Sequence, residues 1–130
     1  MPNRNRIVVV DADAGVLDHL TVMLEEAGFR VTTATDTGQG FIQAAVLKPV
    51  LMILDLRLAC VNGEAVLLRH LRSAYRLQSM PIIVLTTLDP LKVVGIVPLD
   101  PLIQVMLKPP QRERLLGAIR TLLPAIPDMR

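Results

Sequence analysis

Short apolar runs alternate along this chain with segments whose apolar residues recur at helical spacing. The apolar runs have the length of β-strands and lie at residues 7–10, 29–35, 50–55, 82–87 and 103–107. In residues 14–27 the apolar side chains recur every three or four positions, which predicts an amphipathic helix. Further helices are predicted at residues 36–47, from residue 63 onward, after Pro90 and at 111–123.

This alternation of strands and helices predicts an α/β fold. Repeated right-handed βαβ crossovers give a parallel sheet with helices on both faces. Runs that are apolar throughout suit strands that are covered on both faces, so all five strands are predicted to be buried. At 130 residues the chain is predicted to be one domain with a core at about 6–123 and a frayed tail at 124–130.

Polar residues and glycines mark where the helices begin and end. Asp13 and Asp36 are predicted N-caps, and Gly28 is predicted to take the left-handed conformation after the first helix. The fourth helix, after Pro90, has room for about two turns before Gly95 and Pro98 interrupt it, so it is predicted to be short or irregular.

Composition and charge exclude several classes of protein. The net charge is only +2 and aromatic residues make up 2% of the chain, which argues against a nucleic-acid module that stacks bases on aromatic side chains. No apolar span approaches the thickness of a membrane, and the lone Cys60 fits a reducing compartment, so a cytoplasmic location is expected. The clustered arginines are predicted to form solvated helix faces: Arg69, Arg72, Arg76, Arg112, Arg114 and Arg120.

Carboxylate, hydroxyl and ammonium side chains lie where the predicted strands end. Asp11 and Asp13 follow the first strand, Asp55 ends the third, and Thr86 and Lys108 close the fourth and fifth. The carboxyl ends of parallel strands share one edge, where open α/β sheets bind their ligands. We therefore expect these groups to converge there, with Asp55 as the reactive group.

The ordered set of strand-end residues resembles the receiver domain of bacterial two-component response regulators. The most specific segments are 54–58 with Asn62 and Gly63, then 81–86, then Lys108 with Pro109. The resemblance covers about residues 6–123. It implies a flavodoxin-like, doubly wound sheet of five parallel strands in the order 2-1-3-4-5, and a signalling domain that is not an enzyme.

The resemblance also implies a role for each group. Asp55 would accept a phosphoryl group from a phosphohistidine, while Mg²⁺ would be held by Asp55, Asp11 and the backbone carbonyl of Arg57. Lys108 would hold a phosphoryl oxygen, and the Thr86 hydroxyl would move to donate a hydrogen bond to the phosphoryl group. In this family Pro109 corresponds to a proline that follows a cis peptide bond.

Departures from the family pattern affect metal binding and switching. Ala12 stands where the family usually has a second acid, so Mg²⁺ binding is expected to be weakened, with Asp13 as a candidate replacement ligand. Val105 replaces an aromatic residue, and Thr87 replaces a small residue after the strand-end hydroxyl. The residues that the family uses for switching therefore depart from its pattern more than the residues that form the fold.

The expected partners are a histidine kinase or phosphotransfer protein, and an effector domain or partner protein. A homodimer through the face of the fourth helix, fifth strand and fifth helix is a further expectation, with no direct binding to nucleic acid or membrane. An alternative is a receiver-shaped interaction module that works without phosphorylation. A flavodoxin-like binding domain or enzyme is a third reading, disfavoured because no glycine-rich loop follows the first strand.

Overall fold

Runs of apolar and β-branched residues form a five-stranded parallel sheet in the order β2-β1-β3-β4-β5. The computed structural model describes residues 3–61, 63–74 and 76–123. The strands are β1 (Asn3–Val10), β2 (Arg30–Ala34), β3 (Pro49–Asp55), β4 (Ile82–Thr86) and β5 (Ile103–Leu107). The predicted flavodoxin-like strand order is therefore confirmed. The predicted frayed tail at 124–130 and Asn62 of the family motif lie outside the described residues.

Helices cover both faces of this sheet. They are α1 (Ala14–Glu26), α2 (Thr37–Leu47), α3 (Leu56–Ala59), α4 (Val66–Ser73), α5 (Pro90–Val93) and α6 (Arg112–Leu122). One core lies between the sheet and α1 with α6, and the other lies between the sheet and α2 to α5. Alternate residues of β1 enter opposite cores, since Val8 and Val10 face one and Ile7 and Val9 face the other. Residues 7–10 of β1, 50–54 of β3 and 82–85 of β4 are consequently all apolar.

The prediction that all five strands are buried is wrong for the two edge strands. In β2, Arg30 and Thr33 are exposed, and in β5, Val105 and Leu107 are exposed. Each edge strand has a neighbour on one side only. Beside β5, α5 is short, as predicted, and its single turn covers little of the strand.

One helix begins later than predicted, and one short helix was not predicted. The third predicted helix begins at Val66 and not at residue 63, because Val61 and Glu64 form an antiparallel bridge with hydrogen bonds in both directions. The short helix α3, which directly follows β3, has too few residues to show a periodic pattern and was not predicted.

The predicted caps are observed, and one glycine has a packing role that the sequence does not reveal. Asp13 caps α1, Asp36 caps α2, and Gly28 has a φ of 99°. Gly40 lies on the inner side of α2, where an added Cβ would lie 2.7 Å from Val10 Cγ2. A glycine there lets α2 approach β1 closely.

Within the described ranges, no helix combines the length and the apolar character needed to cross a lipid bilayer.

A partly buried ion pair joins α4 to the segment that leads into β5. Arg72 was predicted to face water, but its side chain is only 16% exposed and that of its partner Asp100 is 21% exposed. The Arg72 Nε donates to Asp100 Oδ2 at 2.6 Å, and its second guanidinium nitrogen donates to the Leu77 carbonyl at 3.1 Å. The prediction is wrong because the periodicity of a helix does not show which loop will fold over its polar face.

This pair lowers the pKa of Asp100. Burial acts to raise that pKa, but hydrogen bonds from the Leu102 N–H and from Arg72 outweigh it. A carboxyl whose pKa is lowered on folding stabilises the protein above its unfolded pKa, and this contribution is lost as the pH falls through the folded pKa.

We predict that Asp100→Asn lowers the free energy of unfolding at pH 7 by about 1.5–3 kcal/mol, the range for a hydrogen bond to a charged group. The asparagine can still accept from Leu102 N, so the variant removes mainly the charge. Because the wild-type carboxylate is protonated in acid, the deficit should shrink below about pH 4. Urea unfolding at pH 7 and pH 3 measures both effects.

The matched control is Glu26→Gln, which removes a carboxylate paired with Arg112 on the surface. Both side chains of that pair are exposed, so the expected change is below about 1 kcal/mol. Equal losses in the two variants would contradict the structural role of the Arg72–Asp100 pair.

Candidate functional site

The sheet register brings three of the predicted strand-end groups to one point. Val10 of β1 is paired with Leu54 of β3, so Asp11 and Asp55 follow at the same level of adjacent strands. The Lys108 N–H donates to the Thr86 carbonyl at 2.8 Å, which fixes the residue after β5 against the end of β4. The topology of the sheet thus places the Cα atoms of these three residues at one edge.

The Lys108 ammonium lies between the two carboxylates. Its Nζ is 2.7 Å from Asp11 Oδ2 and 3.1 Å from Asp55 Oδ1. The carboxylates are buried, and the lysine side chain is only 13% exposed. Burial acts to lower the pKa of Lys108, but the hydrogen bonds and charges of Asp11 and Asp55 outweigh it and raise the pKa. Lys108 is therefore cationic throughout the neutral range. The peptide bond between Lys108 and Pro109 is cis, as the resemblance implies.

Asp55 occupies an N-cap position without acting as a cap. The three other aspartates at helix starts, Asp13, Asp36 and Asp89, each accept a backbone N–H of their own helix. Asp55 precedes α3 but makes no such hydrogen bond. Its carboxylate therefore faces the Lys108 side of the site and is not used to stabilise α3.

One oxygen of Asp55 is left without a hydrogen bond. Oδ2 is buried and has no hydrogen-bond partner among the described residues. The Nε of Arg57 lies 3.6 Å from Oδ2, too far for a hydrogen bond. An unpartnered buried carboxylate oxygen is costly unless a ligand completes it. This atom marks where the site can receive a cation or a phosphorus atom.

The remaining predicted residues lie around this cluster. Thr86 is buried at the same sheet edge, where its hydroxyl oxygen accepts from the Leu88 N–H at 2.9 Å. Asp13 uses its carboxylate to cap α1, and its own N–H donates to Asp11 Oδ1. Ala12 is exposed. The structure thus brings together Asp11, Asp55 and Lys108, whereas the side chains of Thr86 and Asp13 are engaged with local backbone.

Cys60 lies beside the site. Burial raises the pKa of its thiol, and the negative charge of Asp55 raises it further. The thiol therefore stays protonated at neutral pH and is a poor nucleophile.

The donor set fits a Mg²⁺ ion better than a metal that needs an all-protein cage. Within the described ranges, no three His, Cys, Asp or Glu side chains are grouped closely enough to hold a metal. Mg²⁺ is commonly bound through one or two carboxylates together with water and substrate phosphate. The unpartnered Asp55 Oδ2 beside Asp11 meets that requirement, although Ala12 supplies no further acid.

The Arg57 side chain was missed at the sequence level, where only the backbone carbonyl of Arg57 was assigned. Because α3 begins immediately after Asp55, the residue two positions on starts close to the carboxylate. The sequence feature that indicates Arg57 is its position two residues after Asp55. Its placement depends on α3, which is too short to predict from sequence.

Comparison with known proteins identifies related sequences. The sequence profile of the response regulator receiver domain matches residues 7–120. The DNA-binding dual master transcriptional regulator RpaA from Synechocystis sp. is 39% identical over 83 residues, which cover 64% of this chain and 34% of that protein. The DNA-binding response regulator MtrA from Mycobacterium tuberculosis is also 39% identical over 83 residues, covering 64% of this chain and 35% of the relative. The chain thus spans about a third of the length of these curated relatives.

Solved structures show the same fold. The signal receiver domain of a histidine kinase from Syntrophus aciditrophicus has a TM-score of 0.78 at 26% identity, covering 95% of this chain and 92% of that one. The receiver domain of a sensor histidine kinase from Pseudomonas aeruginosa, with a magnesium ion coordinated in its active site cleft, has a TM-score of 0.78 at 21% identity. That match covers 91% of this chain and 96% of the other.

We predict that Lys108→Met lowers the free energy of unfolding at pH 7 by about 3 kcal/mol, because it leaves two buried carboxylates without their counter-charge. Without the lysine, these carboxylates repel one another when both are ionised. Acid removes this repulsion, so the deficit should grow from about pH 4 to pH 8.

Urea unfolding across this pH range measures the deficit. The double variant Lys108→Met with Asp11→Asn leaves one carboxylate and should recover part of the lost stability at pH 8. A deficit independent of pH in the single variant would show that lost packing of the lysine stem, and not charge, is responsible.

Proposed function

This chain belongs to the response regulator receiver domain family, and we propose that it acts there as a phosphoacceptor. Asp55 would receive a phosphoryl group from the phosphohistidine of a histidine kinase or phosphotransfer protein. The observation that carries the proposal is the buried Asp55 carboxylate, with Oδ1 on Lys108 and Oδ2 unpartnered. The domain is a signalling element in this account and not an enzyme, and a cytoplasmic location accompanies that role.

The proposed transfer is a displacement at phosphorus. A carboxylate oxygen of Asp55 forms a P–O bond to the phosphoryl group as the P–N bond of the donor histidine breaks. The imidazole nitrogen leaves with the electron pair, and the product is an acyl phosphate. Such transfers depend on positioning and on neutralising phosphoryl charge more than on proton transfer. Lys108, held by Asp11, is the group that neutralises charge from the protein side.

Mg²⁺ would supply further neutralisation of the phosphoryl oxygens. Asp55, Asp11 and the backbone carbonyl of Arg57 are the groups proposed to hold it, with Asp13 as a weaker candidate because its carboxylate caps α1. Since Ala12 offers no carboxylate, we propose that the affinity for Mg²⁺ is low for this family.

Thr86 would transmit phosphorylation of Asp55 to the rest of the domain. Its hydroxyl is proposed to turn towards the phosphoryl group, away from the Leu88 N–H that it now contacts. Thr86 and Leu88 both line an open groove of about 1190 Å³ between α5, β5 and α6. We propose this face for contact with an effector or a second copy of the chain, since the matched relatives are DNA-binding regulators roughly three times as long as the matched segment.

A second candidate function is a receiver-shaped interaction module that works without phosphorylation. The Asp55 side chain is only 3% exposed, and the acid at position 12 is absent. Burial limits access of a donor to the carboxylate, and the missing acid weakens metal binding. The two candidates differ in whether Asp55 can be modified at all.

We predict that the protein incubated with acetyl phosphate and Mg²⁺ gains one phosphoryl group, and that Asp55→Asn gains none, because the amide cannot attack phosphorus as a carboxylate does. Intact-mass spectrometry at neutral pH measures the label, and hydroxylamine should remove it because an acyl phosphate is labile. The matched control Asp18→Asn alters an exposed aspartate of α1 and should label like wild type. No label on the wild-type protein from any small donor or kinase would favour the interaction module.

We predict that Ala12→Asp raises the affinity for Mg²⁺ about tenfold or more, since an added carboxylate near a divalent ion contributes more than the 1.4 kcal/mol that a tenfold change requires. Titration with Mg²⁺ followed by NMR of backbone amides gives the dissociation constant. Ala45→Asp adds the same charge at an exposed position of α2 and should leave the affinity unchanged. Equal affinities in wild type and Ala12→Asp would show that position 12 does not limit metal binding.

A further inference from the structure

We infer that the Arg57 side chain is a second counter-cation for the phosphoryl group on Asp55 and replaces part of the charge that the metal ion otherwise supplies. This inference rests on the proposed function, but it concerns a group to which that function assigns only a backbone role.

The two cations of the site are divided between the two oxygens of Asp55. Lys108 Nζ contacts Oδ1 at 3.1 Å and is also held by Asp11. Arg57 Nε lies 3.6 Å from Oδ2, the oxygen without a hydrogen-bond partner. The guanidinium therefore lies beside the carboxylate oxygen that has no hydrogen bond.

Exposure distinguishes the two cations. The Lys108 side chain is 13% exposed and fixed by two carboxylates, whereas the Arg57 side chain is 81% exposed. The exposed Arg57 side chain can change position when a donor approaches Oδ2, whereas Lys108 is held in place. A guanidinium can then follow the phosphoryl oxygens and bind two of them at once through its planar fork.

The charge count explains why this site would need Arg57. Asp11 and Asp55 carry two negative charges, and Lys108 with Arg57 carry two positive charges, so the four side chains are neutral without a metal ion. With an acid at position 12 the same site would be negative and would attract Mg²⁺ more strongly. Arg57 instead repels Mg²⁺ and attracts the phosphoryl dianion, which are opposite effects of one charge.

A purely structural role for Arg57 predicts a different result. The ion pair of a largely exposed arginine adds little to stability, so such a role would show as a small change in unfolding and nothing else. The inference instead predicts that removing the charge moves metal affinity and phosphoryl transfer in opposite directions. No general loss of folding produces that pattern.

The test compares Arg57→Gln, Arg57→Lys and the control Arg120→Gln, which removes the same charge from the exposed end of α6. Mg²⁺ affinity is measured by NMR titration without a phosphoryl donor. The rate of labelling by acetyl phosphate, from which acetate leaves with the electron pair, is measured at limiting and at saturating Mg²⁺.

We predict that Arg57→Gln binds Mg²⁺ about threefold or more tightly than wild type, because a repelling charge is gone. Its labelling should slow about tenfold at limiting Mg²⁺ and less at saturating Mg²⁺, where the metal ion compensates. Arg57→Lys, which keeps the charge but not the fork, should lie between the two proteins.

Two failures are distinguishable. If wild type takes up label while Arg57→Gln matches Arg120→Gln in both measurements, the inference is overturned and the phosphoacceptor function stands. If wild type and all variants take up no label, the phosphoacceptor function fails and the inference fails with it.

Discussion

The salt bridge from Lys108 to Asp11 and Asp55 is the interaction on which the carboxyl edge of the sheet depends. It ties the residue after β5, at one edge of the sheet, to the ends of β1 and β3 at its centre. Two carboxylates buried side by side would repel one another, and the cation between them offsets that repulsion. The lysine thus allows the fold to keep two carboxylates together in a largely apolar environment. The same arrangement leaves Oδ2 of Asp55 without a hydrogen-bond partner among the described residues.

The sequence was sufficient to predict the fold and the strand ends, since both follow from short-range pattern and topology. Residues 50–55 are apolar up to an aspartate, and a parallel sheet leaves that aspartate at the same edge as Lys108. The partners of individual side chains could not be predicted from the sequence, because they depend on how loops fold over helices. Arg72 looked like a solvated residue of α4, and only the position of Asp100, distant in sequence, removes it from water. The exposure of Val105 and Leu107 depended likewise on α5 being one turn long.

The aspartates illustrate how context assigns roles to one residue type. Asp13, Asp36 and Asp89 precede helices and satisfy backbone N–H groups, which is the ordinary role of an N-cap. Asp55 also precedes a helix, but α3 gets no cap from it. The difference is that the Lys108 ammonium contacts Asp55 but, within the described residues, none of the three capping aspartates. From the sequence, the four aspartates differ only in how closely each follows a strand. The contact with Lys108 distinguishes Asp55 from the three that cap helices.

Gly40 has a consequence that extends to the site. Its missing side chain makes room for the Val10 methyl groups, and Val10 is the residue immediately before Asp11. Positions 10 and 40 are therefore a steric pair that tolerates change only in concert. A larger residue at 40 is compatible with the fold where a smaller residue stands at 10, and homologues that have diverged at one position should have compensated at the other. The contact between α2 and Val10 therefore limits which sequences can hold Asp11 next to Asp55.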